Sequence, residues 1–371
     1  MDFDALLQLV VQKQASDLFI TSSRAPTLKV NGVLQEVSKT KLSASQAMEI
    51  VKSIMSDDQR TEFEATKECQ FAIQRPDIGR FRVSAFVQKD DAGMVLRRIE
   101  TTIPTVAELN IPLMLEDLAM IKRGLIIFVG ATGTGKSTSL AAMVGHRNRN
   151  STGHIITIED PVEYVHEHAG CVVTQREVGI DTESYEVALK NTLRQAPDVI
   201  LIGEIRSRET MSHAIAFAET GHLCLSTLHA NNANQALDRI IHFFPEEAHQ
   251  QLFMDLSLNL KALIAQQLVP AIDGKTRKPI IEILINTPLA SDMIRKGEVH
   301  KLKELMKNST EQGMQTFDQA LFGFYAAGEI SYENALKYAD SSNEVRLLIK
   351  LAGERDPNAD DDMELIEGYD G

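Results

Sequence analysis

The sequence predicts an α/β protein that combines a small N-terminal α/β domain with a larger P-loop nucleotide-binding domain whose C-terminal part is helical. Three observations predict this fold class. A glycine-rich phosphate loop lies between an apolar run and a helix-forming segment. Continuous apolar runs then alternate with helical patterns, which is typical of a parallel sheet buried on both faces. Hydrophobic residues make up 43% of the 371 residues, which is enough for substantial cores.

Residues 1–100 are predicted to form the N-terminal domain. Asn31-Gly32 lies between two apolar segments and is a strong signal for a two-residue hairpin. Ser43, followed three residues later by Gln46, indicates a capping box at the start of a helix. A short helix is also expected at 6–11, and strands are expected at 18–20 and at about 68–74, 80–88 and 94–99. Residues 101–112 contain two prolines and are predicted to be a linker.

Residues 113–350 are predicted to form the nucleotide-binding domain. Its strands are expected at 125–129, 154–158, 199–202 and 223–227, and its connecting helices at about 184–195 and 208–220. The strand at 223–227 is expected to lie beside the strand that leads into the phosphate loop. Residues 246–350 are expected to be mostly helical, with one strand near 280–285.

The phosphate loop matches the pattern G-x-x-x-x-G-K-[ST], and a glycine-rich turn that binds nothing is the alternative interpretation. Its glycines allow backbone N–H groups to surround phosphate oxygens, and the helix that begins there adds a partial positive charge. Lys136 is expected to reach the β- and γ-phosphates of a nucleoside triphosphate, and the Ser137 hydroxyl is expected to bind Mg²⁺. The predicted nucleotide-binding residues are Gly130, Ala131, Thr132, Gly133, Thr134, Gly135, Lys136, Ser137 and Thr138.

Carboxylates follow two of the predicted buried strands. Glu204 comes directly after the strand at 199–202 and is expected to orient or deprotonate an attacking water, as phosphoryl transfer to water requires. The alternative is a solvated acid at a strand end. Asp198, before that strand, is interpreted as a structural turn residue. Glu159, Asp160 and Glu163 end another buried strand and suit Mg²⁺ or water positioning, with charged loop residues as the alternative.

Two histidines flank the strand at 223–227. Their spacing of seven residues does not indicate a metal site without further ligands. His222 is interpreted as a core histidine. For His229 the residues alone leave two interpretations open, a core histidine or a sensor of the γ-phosphate.

Composition argues against several classes of function. The net charge is −14, and residues 353–371 hold eight acidic residues against Arg355. Residues 351–371 are therefore predicted to form an acidic disordered tail. The mildly acidic body lacks the basic surface that nucleic-acid binding needs, so no nucleic-acid partner is expected.

The three cysteines form no C-x-x-C pair and indicate free thiols. Neither a secretory signal nor a membrane-length apolar run is visible, and a cytoplasmic protein is expected.

Four motifs together resemble a known family. They are the Walker A loop GATGTGKST (130–138), the acidic box TIEDPVEY (157–164), the Walker B strand DVILIGE (198–204) and the histidine box GHLCLSTLHANNANQALDRI (221–240). In this order they resemble the PilT/PilU family of type IV pilus retraction ATPases, which are secretion-type hexameric ATPases. The resemblance implies a PAS-like N-terminal domain, a RecA-like core, and a six-subunit ring that uses ATP and Mg²⁺ to drive pilus retraction in twitching motility.

The resemblance also implies roles for individual residues. Glu204 corresponds to the catalytic glutamate, Glu163 to the second carboxylate of the acidic box, and His229 to a phosphate-contacting histidine. Basic residues of the N-terminal domain are implied to reach the nucleotide, with exposed strand arginines as the alternative. These basic residues are Arg80, Arg82, Arg97 and Arg98.

One segment points to a branch of this family. PilT-like motors carry an A-I-R-N-L-I-R segment, whereas residues 289–298 keep only the later Ile-Arg and the following Lys-Gly. Together with the acidic extension, this departure resembles the PilU branch of accessory motors. The implied partners are five further copies in a homo-hexamer, a PilT-like ATPase and an inner-membrane pilus platform protein, with membrane association only through partners.

Three alternative functions remain beside that of an accessory motor. The first is a nucleotide-gated adaptor that hydrolyses little ATP. The second is a pilus-extension or secretion ATPase, which the absence of a longer N-terminal region and of a four-cysteine zinc module disfavours. The third is a DNA-translocating ring, which the acidic body disfavours.

Overall fold

A computed structural model describes residues 2–30, 32–99 and 102–353. Asn31 of the predicted hairpin, residues 100–101 of the predicted boundary and linker, and all but the first three residues of the predicted tail at 351–371 lie outside the described residues. The predicted α/β class is confirmed, with helices and two separate sheets. The chain divides into two units, one of residues 1–103, 160–167 and 175–188 and the other of residues 104–159, 168–174 and 189–371.

The first unit contains a six-stranded antiparallel sheet with helices. Its elements up to residue 99 are α1 (Phe3–Gln12), β1 (Asp17–Thr21), β2 (Thr27–Val30), β3 (Val33–Glu36), α2 (Ala44–Ser53), α3 (Asp57–Thr66), β4 (Glu68–Arg75), β5 (Gly79–Gln88) and β6 (Asp91–Ile99). The strands are ordered β3-β2-β1-β6-β5-β4. The core contains Leu7, Phe63 and Phe81, each almost fully buried.

Local sequence signals of the first unit are confirmed. The Ser43 hydroxyl accepts the N–H of Gln46 at 3.2 Å, and the Gln46 side chain accepts the N–H of Ser43 at 2.9 Å. These two bonds form the capping box predicted for α2, and they satisfy backbone donors that the first turn of a helix leaves free. Val30 pairs with Val33, as a two-residue hairpin connection between β2 and β3 requires.

From residue 104 onward the chain forms a seven-stranded sheet and most of the helices. Its elements are α4 (Met114–Met120), β7 (Gly124–Val129), α5 (Lys136–Asn150), β8 (Gly153–Glu159), β9 (Cys171–Glu177), α6 (Tyr185–Thr192), β10 (Val199–Ile202), α7 (Arg208–Glu219), β11 (Leu223–Leu228), α8 (Ala233–His242), α9 (His249–Asn259), β12 (Leu260–Pro270), β13 (Arg277–Ile285), α10 (Pro288–Arg295), α11 (Leu302–Asn308), α12 (Phe317–Ala326), α13 (Tyr332–Lys337) and α14 (Ser342–Leu351). The strands are ordered β13-β12-β7-β11-β10-β8-β9. Neighbours from β12 to β8 are parallel, and β13 is antiparallel to β12.

Strand β12 is the main element that the sequence pattern does not predict. The pattern predicts one strand between residues 246 and 350, whereas the structure has two, and β12 lies inside the sheet beside β7. The apolar run from Ala262 to Ala265 is buried, and a short buried run of this kind cannot be assigned to strand or helix from its periodicity. The predicted position of β11 beside β7 is confirmed.

Candidate nucleotide-binding site

The site is built where three parallel strands end. Strands β7, β11 and β10 are neighbours, so their carboxyl ends meet at one edge of the sheet, where ligands of open α/β sheets bind. β7 is buried along its whole length and leads directly into Gly130, and α5 begins six residues later at Lys136. This is the strand, loop and helix arrangement that a phosphate loop requires.

Two glycines of the loop lie against the side chain and backbone of Gln266 on β12. Gly135 has a φ of 87°, and a Cβ added there would lie 2.8 Å from Nε2 of Gln266. A Cβ at Gly130 would lie 2.5 Å from the carbonyl oxygen of Gln266. The side chain of Gln266 also accepts the Ser139 hydroxyl at 2.8 Å, and both groups are buried. Gln266 therefore packs directly against the phosphate loop and supports it, and it leaves no room for a side chain at either glycine.

Replacing Gly135 by alanine is expected to destabilise the protein more than replacing Gly133. Both glycines have a left-handed φ, 87° and 80°, but a Cβ at Gly133 would meet nothing within 4 Å. Gly133→Ala should therefore cost about 1–2 kcal/mol of unfolding free energy from backbone strain alone. Gly135→Ala should cost about 1–3 kcal/mol more because its methyl group meets Gln266. Denaturant unfolding of both variants measures the difference, and equal costs would contradict the support role of Gln266.

Lys136 is held inside the loop by backbone carbonyl groups. Its side chain is largely buried, and Nζ donates to the carbonyl oxygens of Gly130 and Ala131, each at 2.8 Å. Burial lowers the pKa of Lys136, and the negative charge of Glu204 opposes that shift. The ammonium is thus placed among phosphate-loop atoms, whereas Ser137 next to it is exposed.

Glu204 and His229 are in direct contact. His229 Nε2 lies 3.1 Å from Oε1 of Glu204, and Arg206 donates to the other oxygen from Nε at 2.8 Å. The Glu204 side chain is only 14% exposed. The Thr227 hydroxyl on β11 donates to the carbonyl oxygen of Gly203 at 2.7 Å, which fixes the end of β10 against β11. Glu204 and His229, predicted from separate motifs, therefore form one cluster. The negative charge of Glu204 also acts electrostatically on the Lys136 ammonium.

A surface cavity of about 640 Å³ adjoins this cluster and the phosphate loop. Most of its lining residues are of polar type, and several of them come from α8. The lining residues are Ala131, Thr132, His229, Ala230, Asn231, Gln235, Asp238, Arg239 and His242. The start of the phosphate loop and the histidine box therefore share one concave surface, which suits a polar ligand such as a nucleoside triphosphate.

One known protein family matches nearly the whole chain. The model of the family described as "Type II/IV secretion system protein" matches residues 2–339. The chain belongs to this Type II/IV secretion system protein family. Among its relatives, "Type IV pilus ATPase PilU" of Pseudomonas aeruginosa is 68% identical over 96% of this chain and 93% of its own length. "Type IV pilus retractation ATPase PilT" of the same organism is 39% identical over 91% of this chain and 98% of its own length.

A solved structure supports the same family. The crystal structure of the pilus retraction motor PilT with bound ADP matches with a TM-score of 0.88 and 34% identity, covering 94% of this chain and 99% of that one. The resemblance predicted from the four motifs is confirmed, and the chain is an ATPase of the Type II/IV secretion system protein family.

The sequence motifs of this secretion ATPase family do not reveal Gln266 and Arg206. Gln266 lies on β12, and without that strand nothing in the sequence places it under the phosphate loop. Arg206 lies two residues after Glu204, outside the Walker B motif, and its role as a partner of the carboxylate appears only in the structure.

Asp198 has the structural role predicted for it, because it accepts the N–H of His154 at 2.8 Å. His222 is only partly buried, in contrast to the core position predicted for it.

Glu163 and the four predicted arginines lie in the first unit. Glu163 is exposed. Arg82 Nε lies 3.7 Å from Oε1 of the buried Glu177, and Arg97 donates to Asp17 at 2.9 Å. Arg82 and Arg97 pair across β5 and β6. Arg80 lies on the same face as Arg82 by strand alternation, and Arg98, opposite Phe81, lies on the other face.

No group of three or more His, Cys, Asp or Glu side chains in residues 2–30, 32–99 and 102–353 is arranged to hold a metal ion by itself. In the same residues, no helix has the length and apolar character needed to cross a membrane.

Proposed function

We propose that this ATPase is a motor that powers retraction of type IV pili and that it belongs to the accessory PilU type. The observation that carries the proposal is the contact of Glu204 with His229 at the carboxyl edge of the sheet, where the phosphate loop holds Lys136. The Lys136 ammonium and the Glu204 carboxylate, the two groups that the proposed hydrolysis uses, both lie at this edge. The extent of the identity to PilU of Pseudomonas aeruginosa, 68% over 96% of the chain, supports the choice of the PilU branch.

In the proposed mechanism, ATP hydrolysis requires Lys136 and Glu204 each to exchange their present hydrogen-bond partners for new ones. Lys136 now donates to two carbonyl oxygens of the loop, and we propose that it transfers these bonds to phosphate oxygens when ATP binds. Glu204 now accepts from Arg206 and contacts His229. In the proposed mechanism Glu204 accepts a hydrogen bond from the attacking water and orients it toward the γ-phosphate, while the loop N–H groups hold the phosphates.

Mg²⁺ is proposed to bind with the nucleotide rather than to a site made by the protein alone. Magnesium usually keeps several waters and takes one or two protein ligands together with substrate phosphates. The exposed hydroxyl of Ser137 at the start of α5 fits such a ligand. The ion would supply positive charge to the phosphate oxygens during transfer.

Four arginines of the first unit are proposed to act in hydrolysis: Arg80, Arg82, Arg97 and Arg98. Charge-neutralising substitution of each to glutamine is expected to lower kcat more than ATP affinity in at least one case. Stabilisation of charge that develops in the transition state raises kcat rather than ground-state binding. Because Arg82 and Arg97 already pair with carboxylates, these two variants also show whether freeing Glu177 or Asp17 changes stability. Steady-state kinetics and thermal melting measure both effects.

The matched control for the arginine series is Arg24→Gln. Arg24 is also a half-exposed arginine of the first unit, and it pairs with Glu36 at 3.4 Å. It should leave kcat unchanged, which separates a specific role from a general loss of positive charge. Unchanged kcat in all four arginine variants would eliminate the proposal and leave these residues as ordinary strand arginines.

The proposed assembly is a homo-hexamer that works at the cytoplasmic face of the inner membrane with a PilT-like ATPase and a pilus platform protein. The competing function is a nucleotide-gated adaptor, for which the departure of residues 289–298 from the PilT-like segment leaves room, although the intact Lys136 and Glu204 argue against it. Hydrolysis rate and oligomer size of the purified chain, with and without a PilT-like partner, separate the two. A motor turns over ATP as a large ring, whereas an adaptor binds ATP and the partner but adds no hydrolysis.

A further inference from the structure

A single buried carboxyl group joins the starts of two helices. Glu282 on β13 is 1% exposed. One of its oxygens accepts the N–H of Ala233 at 2.8 Å, and the other accepts the N–H of Phe317 at 3.4 Å. Ala233 is the first residue of α8 and Phe317 is the first residue of α12. Glu282 therefore satisfies a free backbone donor at each of two helix starts, one of which borders the nucleotide site.

The charged groups around Glu282 come from the helical C-terminal part. Lys303 of α11 donates to Asp340 at 2.9 Å and lies 3.7 Å from Asp318 of α12. Asp318 is 1% exposed and accepts the N–H groups of Asp340 and Ser341 before α14. Burial raises the pKa of Glu282 to about 7, and the charge of Asp340 adds to that rise, while the two backbone N–H groups and Lys303 oppose it.

Helix α8 connects this carboxyl group to the nucleotide site. His229 and Asn231 come just before α8, and Gln235 and Asp238 within it line the cavity beside the phosphate loop. Asn232, the residue that caps α8, donates to Asp340 at 3.2 Å. The start of α8 is thus held by two acidic groups, Glu282 and Asp340, that belong to or adjoin the helical C-terminal part.

We propose that Glu282 is a positioning residue for ATP hydrolysis, which holds the start of α8 and with it the His229 end of the site in its active place. This inference rests on the nucleotide site proposed above. Glu282 touches neither His229 nor Glu204, and it acts through the backbone of α8. The ionised carboxylate is the effective form because both of its oxygens accept. A protonated carboxyl has lost its negative charge, and its hydroxyl oxygen accepts a hydrogen bond from a backbone N–H more weakly than a carboxylate oxygen does.

Replacing Glu282 by glutamine removes the negative charge, as protonation does, but leaves a group that does not titrate. The amide keeps one oxygen acceptor and places an NH₂ group against the other backbone N–H, so it holds the two helix starts less well than the carboxylate. At pH 8 the kcat of Glu282→Gln is expected to be about tenfold lower, because small displacements of site residues are costly, with KM for ATP changed less than about twofold. As the pH falls from 8 to 6, the parent protonates Glu282, and the ratio of parent to variant kcat should approach one.

The stability that Glu282 contributes should change with pH in the direction opposite to its contribution to kcat. A carboxyl group whose folded-state pKa is raised contributes stability that is complete below its unfolded pKa of about 4.3 and is lost as pH rises through about 7. The melting temperature of the parent relative to Glu282→Gln should therefore fall from pH 5 to pH 8 while its relative kcat rises. If Glu282 had only a structural role, the relative kcat and the relative melting temperature would change with pH in the same direction.

Asp318→Asn is the matched control. Asp318 is an equally buried carboxyl group of the same cluster, but it accepts the N–H groups of Asp340 and Ser341, which precede α14, and its hydrogen bonds do not reach α8. The kcat ratio of parent to Asp318→Asn should be independent of pH. Glu282→Asp retains a titrating carboxyl group and should keep a pH-dependent kcat. It also provides the measurement if the glutamine variant does not fold.

The decisive experiment measures ATP hydrolysis from pH 6 to pH 8 for the parent, Glu282→Gln, Glu282→Asp, Asp318→Asn and Lys136→Ala. A parent-to-Glu282→Gln ratio that rises with pH, with no such rise for Asp318→Asn, supports the positioning role. A constant ratio, or the same rise for both variants, overturns it. Loss of pH dependence in Glu282→Asp also overturns it. Hydrolysis by Lys136→Ala at the parent rate would instead refute the proposed nucleotide site, so the two failures are distinguishable.

Discussion

Replacing Glu204 by glutamine is expected to leave ATP bound while slowing its hydrolysis by about a thousandfold, the typical contribution of a group that orients or deprotonates the attacking water. The amide keeps the shape of the carboxylate but not its charge. It also weakens the contacts with Arg206 at 2.8 Å and His229 at 3.1 Å. Single-turnover hydrolysis and equilibrium binding of ATP, measured on the same preparation, separate the two effects.

The control for this variant is an acid at the other end of the same strand. Asp198 precedes β10, accepts the N–H of His154, and has no part in the cluster around Glu204. Asp198→Asn should therefore change stability without changing the hydrolysis rate. Hydrolysis by Glu204→Gln within about threefold of the parent rate would show that another group orients the water, since a positioned base contributes far more.

Replacing Lys136 by alanine is expected to weaken ATP binding or slow turnover by about a hundredfold, equivalent to about 3 kcal/mol. The substitution removes the only ammonium group that the structure places inside the loop among the described residues. ATP titration and steady-state kinetics measure the loss. Parent-like affinity together with parent-like turnover would exclude a phosphate-binding role for Lys136.

The nucleotide-free fold should tolerate the loss of Lys136. Burial lowers the pKa of this side chain, which shows that the charged form is desolvated in the loop. Lys136→Met, which keeps the apolar stem, is therefore expected not to lower the melting temperature without nucleotide. A fall in melting temperature would mean that the bonds to Gly130 and Ala131 stabilise the loop more than burial of the charge destabilises it.

Sequence reasoning predicts the elements whose signals are local. The capping box at Ser43, the hairpin after Val30 and the buried strands β7, β8, β10 and β11 follow from short patterns of residue type. Strand β12 does not, because residues 262–265 form a short apolar run that suits a buried helix equally well. Its place beside β7 depends on long-range pairing, which no local pattern encodes.

The same distinction applies to the site. The Walker loop and Glu204 are identified by residue type and spacing, and strand adjacency then predicts that they approach each other. The contact between His229 and Glu204, the support of the loop by Gln266, and the pairing of Arg82 with Glu177 are side-chain arrangements between residues distant in sequence. They depend on β12 and on segments whose packing the sequence pattern leaves open.

Pilus retraction in Pseudomonas aeruginosa that lacks its own PilU but retains PilT tests the central claim most directly. The claim is that this chain drives retraction through its own hydrolysis at Lys136 and Glu204. The strain supplied with this chain is expected to retract pili more than the same strain without it, and the strain supplied with Glu204→Gln, produced at the same level, is expected to show no such increase. An equal increase with both proteins would contradict the motor and establish the adaptor instead.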